Sequence, residues 1–173
     1  MSNIMVDLES MGTRSNAAII ALGAVKFSSK GLGDEFYMKV DLETCVRSGL
    51  TIDASSIMWW MQQSEAARGE FAKKGDSLFN VLKAFSRFVG SSRDAKIWGN
   101  GADFDNVVLA NAYDAVNLDR PWEYWNNRCY RTVNKLLGGS IELERVGDAH
   151  NAIDDAKSQA AHLVRILAAI KGG

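Results

Sequence analysis

The stretch IMVDLESMG, residues 4–12, runs from Ile4, Met5 and Val6 into Asp7 and Glu9, with only Leu8 between the two acids. The apolar run predicts a short buried strand over residues 3–8. Residues two apart on a strand share a face, with Cα atoms roughly 6.5–7 Å apart. Asp7 and Glu9 therefore aim at one point, while Leu8 faces the other way. Like charges so placed repel. Either the strand end lies in solvent or something compensates for the charge, and these residues alone leave both readings open.

The pattern continues outward from that strand. NAAIIALGAVKFSS (16–29) and GLGDEFYMKV (31–40) predict a hairpin over 16–41 that turns at Ser28–Gly33, through the alternation of Val25 and Phe27, then of Phe36, Met38 and Val40. From Thr51 the period becomes helical. Residues 53–64 predict a helix started by Asp53 or Ser55. Residues 76–90 predict an amphipathic helix capped by Asp76 and ended by Gly90. AKIWGN (95–100) reads as a strand, and 103–116, 132–138 and the segment from Asn151 read as helices. The order βββααβα(β)αα predicts an α/β domain with a mixed sheet.

Composition narrows the class. The chain has 173 residues, 47% hydrophobic and 24% charged, with a formal net charge of −1. That length suits one domain spanning residues 1–173. The charge balance argues against long basic arms, although a small site can be locally positive or made so by metal ions. Cys45 and Cys129 have no CxxC spacing, which disfavours zinc and disulfide frameworks and suits a reducing cytosol. No signal peptide or membrane span is expected, so the expected location is cytoplasmic.

Two further acidic clusters bear on the opening pair. WGNGADFDNVVL (98–109) leaves a strand through two glycines and enters a helix carrying Asp103 and Asp105; DAHNAIDDAKSQAAHL (148–163) sets His150 ahead of a helix that carries Asp154 and Asp155. Acids near helix N-termini are favoured by the dipole whatever their function. If Asp103 caps its helix by accepting the N–H of Asn106, and Asn151 and Asp154 form a capping pair, then Asp105 and Asp155 have no local role. Asp7, Glu9, Asp105 and Asp155 remain, with His150 beside them. Four converging carboxylates would repel strongly, and divalent cations remove the difficulty. Oxygen ligands without cysteine suit Mg²⁺ or Mn²⁺. Two such ions can clamp the attacking and leaving oxygens of a phosphoryl displacement, and an imidazole can take a proton from the attacking water.

In these motifs, DLE (7–9), NGADFD (100–105) and HNAIDD (150–155), with RCYRTV (128–133) between the last two, the chain resembles the DEDDh 3′–5′ exonucleases of the RNase H-like superfamily. DLESMG, the WW…Q of the 53–64 helix and WGNGA.FDN liken it most to phage and prophage exonuclease VIII-like proteins, and bacterial exoribonucleases share much of the pattern. The resemblance implies an RNase H-like fold, a five-stranded mixed β-sheet flanked by α-helices, with the first three strands as antiparallel neighbours. It implies hydrolysis of single-stranded DNA or RNA 3′ ends to nucleoside 5′-monophosphates with two Mg²⁺ or Mn²⁺ ions. Asp7 would bridge both ions, Glu9 and Asp155 would complete the tighter site, Asp105 would hold the second ion through water, and His150 would be general base. Asp103 stands where similar proteins can carry a neutral cap such as Thr, which leaves the choice between Asp103 and Asp105 open. A non-catalytic nucleic-acid or nucleotide binding module on the same fold is the alternative.

Weaker signals suggest substrate contacts. Met11 and Gly12 follow Glu9 and could meet the terminal nucleotide, through an apolar wedge and close backbone approach. Asn100 lies at the strand-to-helix turn. Trp59 or Trp60 could stack on a base, and adjacent helix positions diverge by about 100°, so one of them should line a cleft. Arg128 and Arg131 are the preferred phosphate contacts, against a solvated role for Arg68, Lys73 and Lys74. The aromatic 122–125 segment would permit a homodimer.

Overall fold

The protein is described here from a computed structural model, which describes residues 2–138, 141–148 and 150–172. Five strands form one mixed sheet. They are β1 (Asn3–Ser10), β2 (Ile19–Ser28), β3 (Gly31–Lys39), β4 (Lys96–Gly99) and β5 (Asn127–Cys129), in the spatial order β3-β2-β1-β4-β5. The pairs β1–β2 and β2–β3 are antiparallel, while β1–β4 and β4–β5 are parallel. The sheet is mixed and five-stranded, and the strand that carries Asp7 and Glu9 is its centre. Pairing with β4 covers only Asn3, Ile4 and Met5, so the end of β1 that carries Asp7 and Glu9 has β2 on one side and no strand on the other. Where neighbouring parallel strands send their chains in opposite directions, a crevice opens at their C-terminal ends.

Seven α-helices occur among the described residues: α1 (Leu42–Arg47), α2 (Ala54–Met61), α3 (Glu65–Ala72), α4 (Leu78–Val89), α5 (Asp105–Ala115), α6 (Tyr130–Val133) and α7 (Ala152–Gly172). The period-two alternation of β1 divides the core between its faces. Ile4, Val6 and Leu8 pack with Leu82 and Phe85 of α4 and with Val108 and Leu109 of α5. Met5 packs with Val25, Trp98 and the face of α7 that carries Ala156, Ala160 and Leu163. No described helix is long and apolar enough to cross a membrane.

Several element ends differ from their sequence reading, each for a local reason. Ser77, not Asp76, caps α4 by accepting the N–H of Asn80; Asp76 instead receives the Ser77 N–H and the Asn80 amide. The expected 53–64 helix stops at Met61, and α3 begins anew with Ser64 as its cap. The short helices α1 and α3 present too few apolar repeats to be read by period; α1 buries only Cys45. The segment expected as one helix over 132–138 is α6 followed by a π-helical turn, Asn134–Gly138.

Gly23 sits opposite Asp7 in the β1–β2 ladder. A Cβ there would come within 2.2–2.4 Å of the Ala152 and Ile153 backbone, so glycine lets the first turn of α7 lie directly on the sheet. Gly23→Ala must push α7 away, at a cost of about 1–3 kcal/mol in urea-unfolding stability. Gly33→Ala, whose Cβ would make only ordinary contacts beginning at 3.5 Å, is expected to be close to neutral in the same measurement.

Candidate active site

Asp7 projects on the α7 side of β1, and the buried Gln159 of α7 donates to its Oδ1 at 2.8 Å. Gln159 lies one helical turn beyond Asp155, so the two share a helix face. The Gln159 Oε1 is buried and has no hydrogen-bond partner among the described residues. Glu9, two residues along β1, comes close to His150 and Asp155: one ligand atom from each lies within 4.8 Å of the other two. His150 adopts a left-handed backbone conformation (φ +62°) just before α7, and its N–H donates to Asp155 Oδ2 at 3.1 Å. The other oxygen of Asp155, Oδ1, is held by Nη1 of Arg145.

Asp105 enters from the other helix. Gly99 ends β4, and a Cβ there would meet the Asn106 amide at 2.4 Å and the Asp105 Cβ at 3.0 Å. The glycine therefore lets the start of α5 close on the strand end. Buried Asp105 accepts backbone N–H groups from Leu8 and Asn100, so its carboxylate takes up the β1 edge that β4 leaves free. The expected Asp103 cap is not formed. Phe104 occupies the N-cap position with no side-chain bond, and Asp103 is exposed. Of the two acids, the structure brings Asp105 beside Asp7. The capping pair at α7 also takes another form: Asn151 Oδ1 accepts from Ile153 N–H, while Asp154 turns back to accept from Asp148 N–H.

The electrostatics match this crowding. Burial, then the neighbouring Asp105 and Glu9, push the Asp7 carboxyl far above its usual range, and the Gln159 amide partly offsets them. Burial, then Asp155 and Asp105, push Glu9 up to about 8. Burial raises Asp105 to about 6 despite the N–H groups of Leu8 and Asn100 and the charge of Arg131. The donor set fits divalent cations: hard oxygen ligands, one imidazole, and a repulsion that positive charge would relieve.

The other candidate contacts divide. A cleft of about 400 Å³ beside Glu9 is walled by Ser10, Gly12, Thr13, Ser55, Ser56, Trp59 and Trp60, with Leu8 and Phe104 behind. Trp60 is buried and donates its indole N–H to Ser10 O at 3.0 Å; Trp59 is 42% exposed and its ring meets that of His150 edge-on at 5.1 Å. Gly12 lines the cleft, but Met11 packs against the core on the Leu8 side. The cause is a register shift between Glu9 and Ser10, which breaks the alternation that would have put Met11 on the face of Glu9. Asn100 acts through its backbone, with its N–H on Asp105 and its C=O accepting from Arg131 at 2.7 Å. Arg131 is thereby held next to the carboxylates. Arg128 instead donates to the carbonyls of Trp125 and Asn127. Gln159 and Arg145 were not anticipated; the i, i+4 spacing of Gln159 from Asp155 could have pointed to the first, and no local signal marks the second.

The family model described as the 3′–5′ exoribonuclease Rv2179c-like domain matches residues 2–167. An exodeoxyribonuclease of Enterobacteria phage T4 is 24% identical over 170 residues, covering 79% of this chain and 72% of that protein. Among solved structures, the nuclease domain of 3′hExo, a DEDDh family member bound to rAMP, superposes with a TM-score of 0.65 at 14% identity, over 97% of this chain and 92% of that one. Escherichia coli Exonuclease I in complex with a dA16 oligonucleotide gives 0.64 at 13% identity, over 98% of this chain and 41% of that one. The structural matches share the fold.

Two outcomes follow from the geometry. The cation-free folded protein keeps protons on Glu9 and Asp105 that the unfolded chain releases. Its stability should therefore fall as pH rises from about 4.5 to about 8, by on the order of a few kcal/mol. Urea midpoints in chelator would show the fall, and Mn²⁺ should reverse it at pH 8. Gln159→Leu, which removes the donor at similar volume, should weaken Mn²⁺ binding roughly three- to tenfold in calorimetric titration.

Proposed function

The chain belongs to the family of 3′–5′ exoribonuclease Rv2179c-like domains, and from that premise we propose that residues 1–173 act as a single DEDDh exonuclease domain on single-stranded nucleic acid. The reaction is hydrolysis of the terminal phosphodiester at a 3′ end, releasing nucleoside 5′-monophosphates. Asp7, Glu9, Asp105 and Asp155 hold two divalent cations, Mg²⁺ or Mn²⁺. When bound, these ions offset the carboxylate repulsion and stabilise charge on the attacking and leaving oxygens.

The observation that carries the reading is convergence. Asp7 and Glu9 from β1, Asp105 from α5, and His150 and Asp155 from the start of α7 reach one strand end. Two of those acids are also protonated, near neutrality, more readily than surface carboxylates, which suits ligands awaiting a cation. His150 is exposed, so its imidazole can accept a proton from the attacking water, while its N–H bond to Asp155 fixes the ring's base. Trp59 offers an aromatic face at the cleft for the terminal base. Gly12 also lines this cleft. Arg131 would meet a phosphate, a role supported by its bond to Asn100 and its charge beside Asp105.

Asp7→Ala and Asp155→Ala should each abolish Mg²⁺- or Mn²⁺-dependent release of the labelled mononucleotide from a 3′-labelled oligonucleotide, with circular dichroism unchanged. Full activity in either variant would sink the mechanism. His150→Ala should lower kcat about 10²–10⁴-fold while retaining bound Mn²⁺. An unaltered pH–rate profile would remove it as the base. Matched DNA and RNA substrates in the same assay decide the sugar preference.

A further inference from the structure

Asp155 enters the site with both oxygens engaged, Oδ2 by the His150 N–H at 3.1 Å and Oδ1 by the Arg145 guanidinium. Each oxygen keeps a further lone pair, so a hydrogen bond alone does not bar a cation; a cation at Asp155 would instead be repelled by the positive guanidinium already on Oδ1. The His150 N–H belongs to the backbone turn into α7 and is fixed by it. Arg145 is different, since its side chain is 48% exposed against 17% for Asp155, and a partly exposed ion pair is weak.

The backbone beneath Arg145 is anchored on both sides to α7. Before it, Ile141 C=O accepts from His162 Nε2 at 2.7 Å, and Arg165 holds Glu142 C=O and the Glu144 carboxylate. After it, the Val146 N–H donates to Ser158 Oγ at 2.8 Å. His162 is itself oriented by Tyr130, whose hydroxyl lies 2.7 Å from Nδ1. A long, flexible side chain on a fastened base can leave Asp155 without leaving the site. The guanidinium fork that fits a carboxylate also fits a phosphate.

We propose that Arg145 is a substrate-phosphate ligand stored on Asp155: a cation binding to Asp155 displaces its guanidinium, which then engages a phosphodiester of the incoming 3′ strand. The proposal rests on the reading of Asp155 as a cation ligand. It gives Arg145 two successive anionic partners. Before loading, it supplies a positive charge to an acidic cluster. Once cations neutralise that cluster, it becomes available to the nucleic acid. Cation and substrate binding are thereby coupled, because the first frees a group the second uses.

The test separates the two roles through effects of opposite sign. Arg145→Met keeps the length of the side chain and removes its charge. In calorimetric titration without nucleic acid it should bind Mn²⁺ roughly three- to fivefold more tightly than the wild type, since the competing ion pair is gone. In the exonuclease assay its KM for a single-stranded oligonucleotide should rise about tenfold, the loss of one charged phosphate contact. Arg145→Lys, which retains the charge without the fork, should fall between Met and wild type in both measurements. A structural role alone would not tighten Mn²⁺ binding. Unchanged or weaker Mn²⁺ binding by Arg145→Met overturns the storage on Asp155, and an unchanged KM overturns the phosphate contact. Asp155→Asn in the same titration distinguishes the premise. If it binds Mn²⁺ as the wild type does, the cation-site reading itself fails. If it loses Mn²⁺ while Arg145→Met is unaltered, only the proposal about Arg145 fails.

Discussion

The mutual repulsion and burial of Asp7, Glu9, Asp105 and Asp155 at the end of β1 is the constraint around which the rest of the structure is arranged. Water is partly excluded there, so each carboxylate loses hydration and feels its neighbours through a weakened dielectric. Burial and the neighbouring acids Asp155 and Asp105 lift Glu9 to about 8, and burial alone lifts Asp105 to about 6. Nothing in local strand or helix formation calls for such a grouping. It persists because the packing around it leaves the four acids no other place, and because several fixed dipoles reduce its cost. The N–H groups of Leu8, Asn100 and His150, the Gln159 amide, and the N-terminal ends of α5 and α7 all present positive charge to it.

Two glycines make that packing possible. Gly99 lets α5 begin against the end of β4, and Gly23 lets α7 begin against β2 directly across from Asp7. Each helix thereby brings its first-turn acid, Asp105 or Asp155, to the strand. A methyl group at either position would collide with a backbone or side-chain atom of the arriving helix. The two glycines thus govern how closely the helical acids approach those of the strand. Among the described residues, two guanidinium groups reach the cluster from its rim, Arg131 near Asp105 and Arg145 on Asp155.

The features that were legible in the sequence depend on short-range periodicity and on chemistry that survives without coordinates. The apolar run at residues 3–8, and the alternation of Val25 and Phe27 and then of Phe36, Met38 and Val40 within 16–41, marked the antiparallel strands. The spacing of Leu78, Leu82, Phe85 and Val89 marked α4. The acids Asp7, Glu9, Asp105 and Asp155 stood out because local capping could not employ them all. Other features were not legible, for identifiable reasons. The bulge after Glu9 reverses side-chain parity and sends Met11 into the core, and no residue type in that stretch announces a bulge. The short helices α1 and α3 span too few turns to display a period. The Asp103 cap that singled out Asp105 is not formed, and it is the close approach of α5 at Gly99 that buries Asp105 while Asp103 stays exposed.

By itself the sequence determined an α/β class with a mixed sheet and a set of acids, Asp7, Glu9, Asp105 and Asp155, because these follow from residue type and short spacings, and it carried the family resemblance in motifs spread from Asp7 to Asp155. The tertiary structure decided which oxygens face one another, which acid of each pair is buried, and which residues from distant segments complete the site. Gln159 reaches Asp7 across 152 positions. Arg145 reaches Asp155 only because the segment carrying it is fastened along α7 by Ser158, His162 and Arg165. Such contacts arise when chain segments close in space exclude water together, and no local period encodes which segments those will be.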